Sequence, residues 1–190
     1  MRIGLLGGTF NPVHIGHLLL AEGAKEALSL DHVLWIPSQF PPHKPVEGGA
    51  SPEDRSRMVE LAIEGNPSFT LSRIEMERPP PSYTVDTVRQ LKAQATYGKA
   101  ELYFLIGSDT AQELGSWKEI NQLMKWIRFV AVPRPGEPDR VLPSNVTSLK
   151  VETIAVSASD IRRRVREGRS IRYLVPEPVR RYIQMKGLYR

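Results

Sequence analysis

The chain has 190 residues, 41% of them hydrophobic and 25% charged, with a formal net charge of +5; that length can bury a sizeable core, and the charge favours anionic ligands. It contains no cysteine, so disulfides, thiolate zinc sites and cysteine nucleophiles are excluded. The apolar run after Met1 is too short for a signal peptide core and no later run spans a bilayer, so a cytoplasmic protein without membrane attachment is expected.

Arg2 to Leu6 reads as a short buried strand ended by Gly7-Gly8. A turn at Asn11-Pro12 leads into a helix from Gly16 onward, with Leu18, Leu19, Ala21, Ala24, Ala27 and Leu28 supplying apolar positions. Val33 to Ile36 is a second strand cut off by Pro37, and the proline- and glycine-rich stretch from Ser38 to Ala50 is a loop. Ser51-Pro52-Glu53-Asp54 is a helix start: serine caps, proline takes the first helical position and the acids complement the dipole. Met58, Leu61 and Ala62 are expected on its buried face.

Phe69 to Ile74 alternates as a strand does, and a polyproline break at 79–81 follows. Thr84 starts a helix running to Ala95. Leu102 to Ile106 and Phe129 to Val132 are strands apolar on both faces, with helical stretches at Thr110–Leu114 and Glu119–Trp126 between them. Strand-like residues between Ser148 and Val156 precede helices at Ser157–Glu167 and about Pro176–Lys186. Strands alternating with helices, several of the strands buried on both sides, predict an α/β fold: a Rossmann-like, doubly wound, mainly parallel sheet with helices on both faces. One domain over residues 1–190, with a small helical part at about 157–190, is expected.

A strand feeding a glycine-rich turn and then a helix is a site for anions, because backbone N–H groups can approach the ligand and the helix start adds a favourable dipole. The segment Gly7-Gly8-Thr9-Phe10-Asn11-Pro12-Val13-His14-Ile15-Gly16-His17 lacks the third glycine of a dehydrogenase fingerprint and the Gly-Lys-Ser/Thr of a P-loop. Its distinctive feature is two imidazoles, His14 and His17, on one side of a helix start, with Gly16 between them leaving room for a ligand to lie against the backbone. Imidazole N–H groups are donors to phosphate oxygens where charge builds up in phosphoryl transfer; the competing reading is a pair of capping or packing histidines. A zinc pair is disfavoured, since no carboxylate accompanies them locally. The arginines at 162, 163, 164, 166, 169, 172, 180 and 181 read as a solvated basic surface. No basic stripe is interleaved with aromatics, so nucleic acid is not expected.

Gly7 to Leu18 resembles the signature of the adenylyltransferases that share an HxGH motif, and the whole chain resembles the bacterial nicotinate-nucleotide adenylyltransferases. The resemblance continues in Pro41-Pro42-His43-Lys44, in Ser82-Tyr83-Thr84-Val85-Asp86-Thr87, and in Gly107-Ser108-Asp109 with Trp117. It extends through Val156-Ser157-Ala158-Ser159-Asp160-Ile161-Arg162 to Met185-Lys186-Gly187-Leu188-Tyr189.

The resemblance implies transfer of AMP from ATP, with Mg²⁺, to nicotinate mononucleotide. It implies that His14, His17 and Arg162 are catalytic, and that Gly7, Gly8, Thr9, Phe10, Gly16, Gly107, Asp109, Ser157, Ser159 and Ile161 join them in binding ATP. Lys44, Thr84, Trp117 and Arg134 would bind the acceptor, Trp117 by stacking on the pyridine ring. No protein metal ligand is implied, and self-association into a homo-oligomer is left open. Read without the resemblance, Arg162 is a surface arginine, Asp109 a helix cap and Lys44 a solvated loop lysine. Ala158 stands where the family often has serine, so no side-chain contact is carried over there.

Three other functions compete: a same-fold transferase with another acceptor such as pantetheine phosphate, a non-catalytic nucleotide sensor, and a relative of the class I aminoacyl-tRNA synthetases, whose signature His14-Ile15-Gly16-His17 also spells. The last lacks its Lys-Met-Ser-Lys-Ser loop here, and retention of both histidines with Arg162 argues against a sensor.

Overall fold

The computed structural model describes residues 1–40, 48–133 and 141–190. Strands β1 (Arg2–Gly8), β2 (His32–Pro37), β3 (Phe69–Leu71), β4 (Glu101–Gly107), β5 (Ile127–Val132) and β6 (Val146–Ser148) form one sheet in the order β3-β2-β1-β4-β5-β6. Every pairing is parallel. Helices α1 (Ile15–Ala27), α2 (Pro52–Ile63), α3 (Thr84–Ala93), α4 (Ser108–Glu113), α5 (Ile120–Trp126), α6 (Ala158–Arg166) and α7 (Glu177–Lys186) connect and cover the strands.

Side-chain alternation along the strands divides the core into two layers. Leu6, Val33, Trp35, Leu105 and Val130 pack with Ala21 and Ala24 of α1, Met58 and Val59 of α2, Ile161 of α6, and Val179 and Ile183 of α7. Ile3, Leu5, Leu34, Ile36, Leu102, Phe104 and Phe129 face the opposite way, onto Val85, Val88 and Leu91 of α3, Ala111 of α4 and Leu123 of α5. The sheet is therefore Rossmann-like and doubly wound, and strands buried on both faces explain the continuous apolar runs.

The strand order reverses between β1 and β4, and this is where the site forms. Their register ends at Leu5 opposite Phe104, yet the strands run on to Gly8 and Gly107 while still paired to β2 and β5 on their outer sides. Beyond Leu5 the two inner strands part. A crevice opens at the carboxyl ends of the strands, the place where open α/β sheets take ligands.

Local signals held where they were strong. Ser51 caps α2, its hydroxyl accepting from the Asp54 N–H at 3.0 Å, while the Asp54 carboxylate takes the Ser51 N–H at 3.1 Å, with Pro52 at the first helical position. The face it buries is Arg55, Ser56, Met58, Val59 and Ile63, with Leu61 and Ala62 only partly covered. Two expected strands differ. The third stops at Leu71, because Ser72 makes a last bond to the Trp35 carbonyl and the chain then turns over Arg73–Glu77, with the Met76 N–H on the Arg73 carbonyl. The sixth is Val146–Ser148 rather than a segment within 148–156. After Leu149 bonds the Ala131 carbonyl, the chain leaves the sheet edge, and Thr153, Ile154 and Val156 line the crevice instead.

Candidate active site

The crevice is a cavity of about 650 Å³. Of the described sequence-predicted residues, Gly7, Gly8, Thr9, Phe10, His14, Gly16, His17, Thr84, Gly107, Asp109, Trp117, Ser157, Ser159 and Arg162 line it. Ile161 does not: its side chain is fully buried in the core, and its N–H is bonded to the Ser157 carbonyl at 3.1 Å. Lys44 and Arg134 lie outside the described residues.

One wall begins at the end of β1. Phe10 adopts a left-handed φ of 48°, uncommon for a residue with a side chain, and this conformation turns its ring into the core against Trp35, centroids 5.5 Å apart. The edge of that ring meets the His17 imidazole at 5.1 Å. His14 is the N-cap of α1 and is buried; the two imidazoles stack with centroids 3.6 Å apart. A Cβ on Gly16 would press the His14 ring at 3.1 Å, so the room glycine leaves is taken by that imidazole.

The His14 N–H donates to Nδ1 of His17 at 3.1 Å. A neutral imidazole whose Nδ1 accepts carries its proton on Nε2, so His17 keeps an N–H donor while capping its own helix. Capping and ligand donation use opposite edges of one ring, and the two readings of the histidine pair are compatible.

The start of α6 also lines the cavity. Ser157 caps it, the hydroxyl accepting from the Asp160 N–H at 3.1 Å. Arg162 is only 8% exposed, and its guanidinium donates to the Asn11 carbonyl at 2.9 Å and to Ser159 Oγ at 3.3 Å. Its burial departs from the surface-arginine reading. Arg163 and Arg164 do behave as surface residues, paired to Asp160, Arg164 at 3.0 Å. Gly48 passes over Arg162 with a left-handed φ of 85°, and a Cβ there would stand 3.0 Å from the arginine Cδ and 2.8 Å from the Tyr189 ring. Tyr189 itself donates to Asn11 Oδ1 at 2.8 Å. Asn11 is thus held from its carbonyl and its side chain by residues near the other end of the chain.

Also on the cavity lining, α3 begins at Thr84 with no side-chain cap from Tyr83. Trp117 stands edge-on to Phe104 at 5.8 Å and to Phe129 at 6.0 Å while also lining the cavity; it is anchored in the core on one side and open to the crevice on the other. Trp35 is fully buried, whereas Trp126 is partly exposed beneath the Arg89 guanidinium at 5.7 Å. Asp109 sits inside the first turn of α4, whose N-cap is Gly107, so it is not that helix's cap.

Two charged residues were missed. Arg55 is fully buried; its guanidinium donates to the carbonyls of Thr9 and Ser38, both at 2.7 Å, and of Gln39 at 2.8 Å. It ties the end of the glycine turn to the start of the following loop, and burial lowers its pKa from the ordinary arginine value. Glu75 lines the cavity, is 8% exposed, and accepts from the Thr87 hydroxyl at 2.7 Å. Burial pushes its pKa up to about 7, opposed by the Thr87 and Ser82 hydroxyls and the Arg78 charge. Each lies in a run of charged residues that reads as solvated face; a faint signal for Glu75 is its place between Ile74 and Met76.

A cytidylyltransferase-like family model matches residues 5–164. Over 191 residues the chain is 48% identical to a probable nicotinate-nucleotide adenylyltransferase of Thermus thermophilus, with all of both chains covered. It is 48% identical over 188 residues to one from Geobacillus kaustophilus, covering 99% of this chain and 86% of the relative. In structure it is similar to the nicotinic acid mononucleotide adenylyltransferase of Plasmodium falciparum complexed with NaAD, at a TM-score of 0.82 and 17% identity, covering 99% of this chain and 97% of the other.

Proposed function

The chain belongs to the cytidylyltransferase-like family, within it to the nicotinate-nucleotide adenylyltransferases, and from that premise we propose that it transfers the adenylyl group of ATP to nicotinate mononucleotide. The acceptor's phosphate oxygen attacks the α-phosphorus of ATP, the bond from that phosphorus to the bridging oxygen breaks, and pyrophosphate leaves with the electron pair. The product is nicotinate adenine dinucleotide. A phosphate nucleophile is already ionised near neutral pH, so the protein's task is positioning and charge neutralisation rather than proton abstraction.

The observation that carries this reading is the convergence of two donors on one crevice. His17, its Nδ1 taken by the His14 N–H, carries its proton on Nε2 and lines the crevice, and the buried Arg162 is held beside the same turn through the Asn11 carbonyl. Together they suit a phosphorus centre on which negative charge grows. The start of α6, with Ser157 and Ser159, and the backbone of Gly7 and Gly8 serve the triphosphate. Asp109 serves the ribose or the water around a magnesium ion. Among the described residues no three acidic or imidazole groups gather to hold a metal by themselves. Magnesium takes most of its ligands from phosphate and water, so it is assigned to ATP itself, where it neutralises phosphate charge.

The acceptor end is Thr84 and Trp117. The uncapped start of α3 suits a ring carboxylate, and Trp117, braced by Phe104 and Phe129, offers a fixed face to the pyridine. Among the described residues no helix is long and apolar enough to cross a membrane. The test is to supply ATP, magnesium and nicotinate mononucleotide and to measure pyrophosphate and dinucleotide. Product with pantetheine phosphate but none with nicotinate mononucleotide would overturn the acceptor assignment.

A further inference from the structure

Glu75 is a carboxyl group in an unexpected place: on the wall of a cavity assigned to an anionic acceptor, beside the start of a helix that favours anions. It lines the cavity together with Ser82, Tyr83 and Thr84. One of its oxygens is held by Thr87, a turn further along α3. Arg78 holds that same hydroxyl from the other side, donating to Thr87 Oγ1 at 3.0 Å and to the Tyr83 carbonyl at 3.3 Å. The carboxyl is therefore fixed to the element that begins at Thr84.

Among the described residues, Arg78 is its principal counterion. Asp86 on α3 is engaged by Arg89 and by Lys118, the latter at 3.3 Å. Lys118 also lies 4.6 Å over the Tyr83 ring. Within its own turn Glu75 is flanked by exposed Arg73 and Glu77. Arg78 is shared with the Gln90 side chain at 3.1 Å as well as with Thr87, and it does not outweigh the burial of the carboxyl, whose pKa is raised to about 7.

Resting on the acceptor assignment above, we infer that Glu75 is a specificity-determining residue: protonated, it tolerates or donates to the acceptor's ring carboxylate, and ionised, it repels it, so that the preference for an acid ring over the neutral amide ring is set by pH. Nicotinate and nicotinamide mononucleotides share the same phosphate, ribose and pyridinium. The ratio of their affinities therefore cancels titration of the substrate phosphate and isolates the ring substituent.

The experiment is equilibrium calorimetry of both mononucleotides with the intact protein between pH 6 and pH 8.5. The acid-over-amide ratio is expected to fall roughly tenfold across that range, the scale of one like-charge repulsion over a few ångströms in a partly hydrated cleft, with its midpoint near 7. Glu75→Gln, which keeps size and polarity but cannot ionise, is expected to make the ratio flat. Thr87→Val, which removes the hydroxyl that favours the ionised form, is expected to move the midpoint to higher pH; a purely structural carboxyl would give no such shift. A flat wild-type ratio, or a Glu75→Gln protein that keeps the wild-type slope, overturns the inference. If neither mononucleotide binds, the acceptor assignment itself fails, which is a distinct outcome.

Discussion

Replacing Arg55 with methionine keeps the length and apolar stem of the side chain and deletes only the guanidinium. That group is fully buried and makes three hydrogen bonds to backbone carbonyls, at 2.7, 2.7 and 2.8 Å. A buried ion pair can be exchanged for apolar residues at little cost when both partners go, but here the partners are main-chain oxygens and cannot be removed with it. Each bond to a charged donor is worth about 1.5–3 kcal/mol. Relief of the desolvated charge and partial rescue of the carbonyls by water offset part of the sum, leaving a loss of about 4 kcal/mol, in the range seen when one partner of a buried charged contact is deleted. With a urea slope of about 2 kcal/mol per molar for a domain of this size, the unfolding midpoint falls by about 2 M. Circular dichroism against urea measures it directly. The same variant, still folded in buffer, should show a raised KM for ATP, since the Thr9 carbonyl ends the glycine turn. A midpoint lowered by less than about 0.5 M would refute the view that this cation clamps the turn to the loop.

Three other outcomes are expected. His17→Ala should lower kcat by roughly a hundredfold, corresponding to about 3 kcal/mol of transition-state stabilisation, with acceptor affinity little changed; wild-type turnover would remove His17 from the phosphate site. Trp117→Ala should raise the KM for nicotinate mononucleotide while ATP handling stays near normal, and should also lower stability, because the ring packs on Phe104 and Phe129; equal losses for both substrates would leave it a packing residue only. Glu75 makes stability pH-dependent in a definite sense. Its pKa rises from an ordinary 4.5 to about 7 on folding, so the folded state retains a proton that the unfolded chain releases, and stability falls as pH climbs from 4.5 to 7 and is constant above. The contribution lost is about 3 kcal/mol. Urea midpoints of Glu75→Gln relative to wild type should therefore rise over that window, and a difference that does not change with pH would contradict the buried carboxyl.

What was legible in the sequence was carried by short-range chemistry. The glycine turn between β1 and α1, the Ser51-Pro52 helix start and the doubly apolar runs of β4 and β5 each depend on neighbours a few residues away, and each was readable there. Arg162 is a contrasting case. Within its own helix it is one of several arginines, and its burial and its bond to the Asn11 carbonyl, 151 residues distant, distinguish it; the family resemblance singles it out, whereas spacing does not. Arg55 and Glu75 were not found by either route. Charged side chains among other charges read as solvated, and their burial is imposed by a loop end and a turn that no local pattern announces. Strand ends failed for a related reason: the residues after Leu71 and Ser148 are able to extend the sheet, but the chain turns toward the crevice there.

The grip on Asn11 by Arg162 and Tyr189 has a consequence for how the molecule is made. Synthesis proceeds from the amino end, so a nascent chain that has reached Ser148 already contains all six strands and neither of these two anchors. The sheet can assemble before the turn it supports is pinned. Such a half-made chain would carry the glycine segment and both histidines on an open scaffold, and competence to grip a triphosphate would come only as Arg162 and Tyr189 close on Asn11.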